Sequence, residues 1–249
     1  MTAGPVTQIY PPGADAPHFD PSAAYGELDF SAGAQEERPY VVVNMVSTAD
    51  GQGRIGADTG QLGGAADAAL FAALRERVDC VMAGVTTISI EDYNAPAAKP
   101  ETQARRSAAG FAARPLVATA TRSGNLPVSA PLFQDPELSV VVFSEASVDL
   151  SGVAARTEVV ATEEPAAMLA ALRERGVRSL LLEGGPHINT PFFAGELVDE
   201  LFLTVAPVLT GAPDPPFPII AGELPTRQQL HLMTAYAGDE HLFLRYRVD

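Results

Sequence analysis

Residues 178–191 read RSLLLEGGPHINTP, and the reading of this stretch decides the fold. Ser179 to Leu182 make a short apolar run of the kind a buried parallel strand makes. Glu183, the glycine pair Gly184-Gly185 and Pro186 follow at once. Strand, glycine turn and proline-started helix form a geometry that aims free backbone N–H groups at an anion. Glu183 then stands at the carboxyl end of a strand, where open α/β sheets hold their ligands. Taken alone, the stretch is equally well a β–α connection whose glycines only permit a tight turn.

Working outward, Thr162 to Arg175 reads as a helix capped by Thr162, with Pro165 in its first turn and Gly176 after its end. Asp199 to Ala206 reads as a strand, and residues 207–218, with five prolines, as a loop. Leu230 to Tyr236 and His241 to Val248 alternate about residues 237–240, predicting a closing antiparallel hairpin. Upstream, Tyr40 to Val46 is nearly continuous β-branched and apolar, as in a central strand covered on both faces. The loop from Ser47 to Gly64 holds six glycines and has the length of a functional loop. Apolar residues at 66, 69, 70, 73 and 74 give the stripe of a helix over 65–77. Further strands are predicted over 78–83, 115–120, 139–143 and 158–161, with a loop and a short helix within 95–114. Residues 1–38 are rich in Pro, Gly and Ala, without period, and read as an extended arm, mobile or laid over the surface. Residues 39–249 read as a single domain. Strands alternating with helices predict an α/β fold with a mixed, mostly parallel sheet and a C-terminal antiparallel hairpin.

Composition narrows the function. The chain has 249 residues, 47% of them apolar, and a formal net charge of −15, with Lys99 its one lysine. That charge repels polyanions and argues against a nucleic-acid partner. Cys80 is the sole cysteine, within an apolar run, so disulfides and multi-cysteine metal sites are excluded and no metal is expected. No signal-peptide pattern and no membrane-length apolar run occur, so a cytoplasmic protein is expected.

Three strand ends carry polar or glycine-rich turns: Gly84 to Thr87 (with Thr86), Thr121 to Gly124, and Glu183 to Pro186. On a parallel sheet all three converge on one edge, where backbone N–H groups and hydroxyls can hold a dinucleotide. Arg122, directly after a strand, is suited to a 2′-phosphate, favouring NADPH over NADH; its plainer reading is a surface arginine. Asp50-Gly51 alone reads as a turn. No G-x-G-x-x-G fingerprint, catalytic triad order, H-E-x-x-H, P-loop or deaminase zinc signature appears. Hydride transfer, which needs little from side chains beyond holding two rings face to face, gains by comparison.

The order of these pieces resembles the reductase domain of the bacterial riboflavin-biosynthesis deaminase-reductase, which shares the three-layer fold of dihydrofolate reductase. The matching segments are 38–41 into 47–51, 74–75 through 83–87 to 91–92, 182–186, and 197–201 through 206–211, so the resemblance spans residues 38–249. It implies an NADPH-dependent reductase, usually a homodimer. It places the cofactor at Val46, Gln61, Thr87 and Glu91, at Thr121 and Arg122, and along the turn that includes Gly185, Pro186, His187, Ile188 and Asn189. Substrate contacts align with Thr59, Arg75, Ala95 and Glu183, whose carboxylate suits the N–H groups of a pyrimidine or pterin ring. Asn44 stands where the family has a lysine, and Ala98 where it has an arginine for the substrate phosphate, with only Lys99 beside it. The deaminase half is missing, so deamination is expected from another protein. The implied reaction is reduction of 5-amino-6-ribosylaminouracil 5′-phosphate or a close relative by hydride transfer to C1′, with Glu183 in the site and water or Asp50 giving the proton. A dihydrofolate or pterin reductase on the same scaffold is the alternative, and a non-catalytic nucleotide-binding protein the third reading.

Overall fold

A computed structural model describes residues 4–11, 18–55, 62–91, 93–211 and 217–249. In chain order the strands are β1 (Val6–Tyr10), β2 (His18–Phe19), β3 (Tyr40–Thr48), β4 (Cys80–Met82), β5 (Leu116–Ala120), β6 (Ser139–Phe143), β7 (Arg156–Val160), β8 (Ser179–Leu182), β9 (Glu200–Ala206), β10 (Leu230–Gly238) and β11 (His241–Val248). The α-helices are α1 (Pro21–Ala24), α2 (Ala65–Arg75), α3 (Val85–Ile90), α4 (Pro100–Ala108), α5 (Pro131–Gln134), α6 (Pro165–Glu174) and α7 (Pro186–Ala194). The strands form one sheet in the order β2-β1-β10-β11-β9-β3-β8-β4-β5-β6-β7. From β9 to β7 every neighbouring pair is parallel. From β2 to β9 every pair is antiparallel, with the β10–β11 hairpin inside that half.

The period of two in the central strands builds the three layers. Val42, Val81, Leu181 and Val117 point to one face, where Ala66, Leu70 and Leu74 of α2 cover them. Val41, Val43, Met82, Leu180 and Leu182 point to the other, beneath Leu169 and Leu172 of α6 and Phe192 and Phe193 of α7. Burial on both faces is why β3 and β8 read as unbroken apolar runs rather than alternating ones. Cys80 is fully buried in the second layer, where burial pushes its thiol far above the ordinary value.

Two details depart from the expected elements. The segment before residue 39 adds β1 and β2 to the sheet beside β10, and Val6, Tyr25 and Phe30 enter the core. Its anchors are single residues in a Pro/Gly-rich background, so no period marks them. Helix α6 is capped by Glu164, whose carboxylate accepts the Ala167 N–H at 2.9 Å; Thr162, two residues earlier, accepts the Glu164 N–H at its Oγ1, at 3.2 Å.

Candidate active site

Register brings the expected turns to one level. Leu182 of β8 lies opposite Val43 of β3 and Met82 of β4, and Met82 lies opposite Ala118 of β5. The residues that follow therefore emerge together at the carboxyl edge. There the turns after β4 and β8 are bonded to each other: Gly84 N–H donates to Gly184 O and Gly185 N–H to Thr87 Oγ1, both at 2.8 Å. The Gly184–Gly185 peptide is cis, and Gly184 has φ +78°. A side chain at Gly184 would also meet Met45 Sδ at 2.8 Å, so this position requires glycine.

Above this edge opens a cavity of about 820 Å³, within the roughly 300–1,000 Å³ typical of ligand clefts. Its wall includes the expected Val46, Arg75, Gly84, Thr86, Thr87, Glu91, Thr121, Arg122, Glu183, Gly185, Pro186, His187 and Ile188. Asp50, Ala95, Gly184 and Asn189 are not part of that wall. Thr59 and Gln61 lie outside the described residues. Asp50 is exposed and ties two loops together. It accepts Thr48 Oγ1 at 2.5 Å and the Gly211 N–H at 2.6 Å, and these bonds hold its carboxyl below the ordinary range. Ala95 packs against the core on the α2 face. Asn189 is fully buried, donating to Ile219 O at 3.2 Å. Gly184 acts through its backbone, as described above.

The floor of the cavity is a charged cluster. Arg75, the last residue of α2, makes two parallel bonds to Glu183, Nε to Oε1 and Nη2 to Oε2, each 2.7 Å. Tyr93 donates its hydroxyl to Glu183 Oε2. The guanidinium carbon of Arg75 lies 4.0 Å from the Phe71 ring centroid and 5.0 Å from that of Tyr93. Burial weakens the charge of Arg75, but the Glu183 carboxylate more than reverses this and holds it firmly protonated. Burial and the same carboxylate push the Tyr93 phenol well above its ordinary value, so it stays a neutral donor. A carboxylate offers about four acceptor sites; Arg75 and Tyr93 fill three, which leaves one on Oε1 for a ligand N–H.

The opposite wall suits an anionic cofactor. Gly185 lets the turns after β4 and β8 pack closely: a Cβ there would lie 3.3 Å from Thr87 Oγ1. At the start of α7, Pro186 has no N–H and the Ile188 N–H donates to Gly185 O at 3.0 Å, which leaves the His187 N–H at the positive end of the helix dipole. Arg122 is 88% exposed, 3.8 Å from Glu163 across the cavity mouth. Arg54, after β3, stacks on Phe217 at 4.2 Å, and among the described residues it has no carboxylate partner.

Arg54, Asp67, Phe71, Tyr93 and Phe217 line the cavity but did not stand out in the sequence. Asp67, Phe71 and Arg75 are spaced four apart, so they share one face of α2. That spacing is legible in the sequence. The neighbouring core stripe on the same helix conceals it.

Residues 39–244 match the RibD C-terminal domain family. The 2,5-diamino-6-ribosylamino-4(3H)-pyrimidinone 5′-phosphate reductase of Methanothermobacter thermautotrophicus is 27% identical over 221 residues, covering 85% of this chain and 99% of that protein. The enzyme of the same name from Archaeoglobus fulgidus is 28% identical over 193 residues, covering 72% and 85%. Among solved structures, a pyrimidine reductase-like protein from Corynebacterium diphtheriae superposes with a TM-score of 0.74 at 21% identity, covering 92% of this chain and 98% of that one.

Proposed function

The chain belongs to the RibD C-terminal domain family, and on that premise we propose that it is an NADPH-dependent reductase of a riboflavin-pathway pyrimidine riboside phosphate. The observation that carries this reading is the divided cavity. One wall is a glycine-lined backbone edge suited to a dinucleotide, and the floor is the Arg75–Glu183–Tyr93 cluster, suited to a polar ring. The names of the stand-alone relatives favour the 2,5-diamino-pyrimidinone as substrate over the uracil that deamination yields.

The cofactor, when bound, supplies the hydride. The chain's residues orient the partners. Glu183, held rigid by Arg75, presents its remaining Oε1 acceptor site to one ring N–H. Arg75 Nη1, which makes no bond to Glu183, offers a donor beside it. Gly84, Thr87 and the Gly185–Ile188 turn take the cofactor's backbone, and Arg122 takes the 2′-phosphate. The family resemblance also favours a cytoplasmic homodimer, to be checked by light scattering.

The test is steady-state turnover with the diamino-pyrimidinone riboside phosphate, the corresponding uracil and dihydrofolate, each with NADPH and with NADH. The proposal expects the diamino substrate with NADPH to have the highest kcat/KM. The pterin reading has one specific support, the alanine at position 98 in place of a phosphate-binding arginine. Preferential turnover of dihydrofolate would establish that reading instead.

A further inference from the structure

We propose that Asp67 is the general acid of this reaction, giving the proton that the substrate nitrogen gains as the hydride reaches C1′. The inference rests on the reductase reading above.

Asp67 is the third residue of α2 and lines the same wall as Phe71 and Arg75, one and two helical turns farther on. The other carboxylates of the cavity wall are engaged. Glu183 is held by Arg75 and Tyr93, Glu163 faces Arg122, and Glu91 has a partner too. Asp67 accepts only a neutral donor, Thr204 Oγ1 of β9, at 2.6 Å, and among the described residues it has no ion pair. Thr204 lies opposite Val46 of β3, so the carboxyl is anchored at the strand level where the family resemblance places the cofactor.

The electrostatics agree with that geometry. Burial raises the Asp67 carboxyl above its ordinary value, against the Thr204 hydroxyl and His241, which pull it down. The titratable groups acting on it are His241 of β11, whose ring bridges the Asp239 and Leu62 carbonyls, and the buried Tyr25 phenol at the end of α1. The pull of His241 lowers the carboxyl, but burial outweighs it and the net direction is upward.

The C1′=N carbon of the ring-opened imine gains the hydride, with reduced nicotinamide as the two-electron reductant. The C=N π pair takes the Asp67 proton, giving a secondary amine. Asp67 is left as a carboxylate and recovers its proton from water.

The test compares wild type with Asp67→Asn, Asp67→Glu and Thr204→Val. Asp67→Asn should lower kcat by roughly 10²-fold or more, while the Kd of the pyrimidine riboside phosphate, by titration calorimetry, changes less than about threefold. Wild-type kcat/KM should fall at high pH as the acid deprotonates, and Asp67→Asn should lose that limb. Thr204→Val removes a bond that favours the carboxylate, so it should move the limb to higher pH. Asp67→Glu should restore part of kcat. An Asp67→Asn enzyme with near-normal kcat and an unchanged limb, or one whose loss lies wholly in Kd, overturns the proposal and leaves the reductase reading intact. A wild type that binds NADPH but reduces no pyrimidine riboside phosphate overturns both.

Discussion

Replacing Arg75 by Met removes the charge that faces Glu183 and keeps most of the side-chain length. Glu183 has only 3% of its side chain exposed, so the variant leaves a buried carboxylate with Tyr93 as its one donor. Breaking a buried pair from one side costs about 3–5 kcal/mol. Loss of the guanidinium stacked on Phe71 and Tyr93 adds about 1 kcal/mol, partly offset by the packing of the Met side chain. The sum is about 4 kcal/mol. The reverse change differs. Glu183→Gln leaves Arg75, 24% exposed, in reach of water, and the amide oxygen still accepts, so the loss should be about 1–2 kcal/mol. For a chain of this size each kcal/mol moves Tm by about 2–4 °C, which separates the two variants by several degrees. Thermal unfolding followed by far-UV circular dichroism, checked by urea titration, reads both. The double variant removes both charges and should be more stable than Arg75→Met alone. Losses below about 1 kcal/mol in both single variants, the worth of a surface pair, would refute the reasoning. A double variant that simply sums the two losses would refute it as well.

Four further expectations follow from the same geometry. Gly185→Ala places a Cβ 3.3 Å from Thr87 Oγ1 and should weaken NADPH binding by about tenfold, read by quenching of nucleotide fluorescence, with little change in Tm. Arg122→Ala should narrow the NADPH-over-NADH ratio of kcat/KM by about five- to tenfold; an unchanged ratio returns Arg122 to the surface. Asp50→Asn should leave kcat within about threefold of wild type, because its carboxylate ties the 210–211 loop and lies outside the cavity wall; a loss near that of Asp67→Asn would restore it as a proton source. Asp67 binds its proton more tightly folded than unfolded, so its contribution to stability is fully present below the unfolded pKa, about 4, and falls as pH rises through its raised folded value. Asp67→Asn should therefore exceed wild type in Tm at pH 7, with the gap closing as pH falls toward 4.

The strands at the centre were legible because burial on both faces leaves unbroken apolar runs, as in Tyr40–Thr48 and Ser179–Leu182. The carboxyl edge was legible because glycines and threonines cluster right after such runs. The site's energetics were not. Arg75 and Glu183 meet across 108 positions, and Tyr93 reaches Glu183 across 90. No local period encodes such pairs. Glu183 stood out as a free acceptor for paired ring donors, yet Arg75 and Tyr93 already fill three of its sites. Asp50 stood out through its motif, although the fold turns its carboxylate to backbone N–H groups. Asp67 is masked in the sequence because its face of α2 abuts the core stripe of 66, 70, 73 and 74, which dominates the pattern.

The most direct test of the account is transfer of label. The enzyme would be given NADPH deuterated at C4 of the nicotinamide, on each face in turn, with the diamino-pyrimidinone riboside phosphate, and the product read by mass spectrometry and NMR. The account predicts one deuterium at C1′ of an opened ribityl chain from one of the two labelled faces. Product formed without label from either face, or no product from an enzyme shown to bind both ligands, would contradict it.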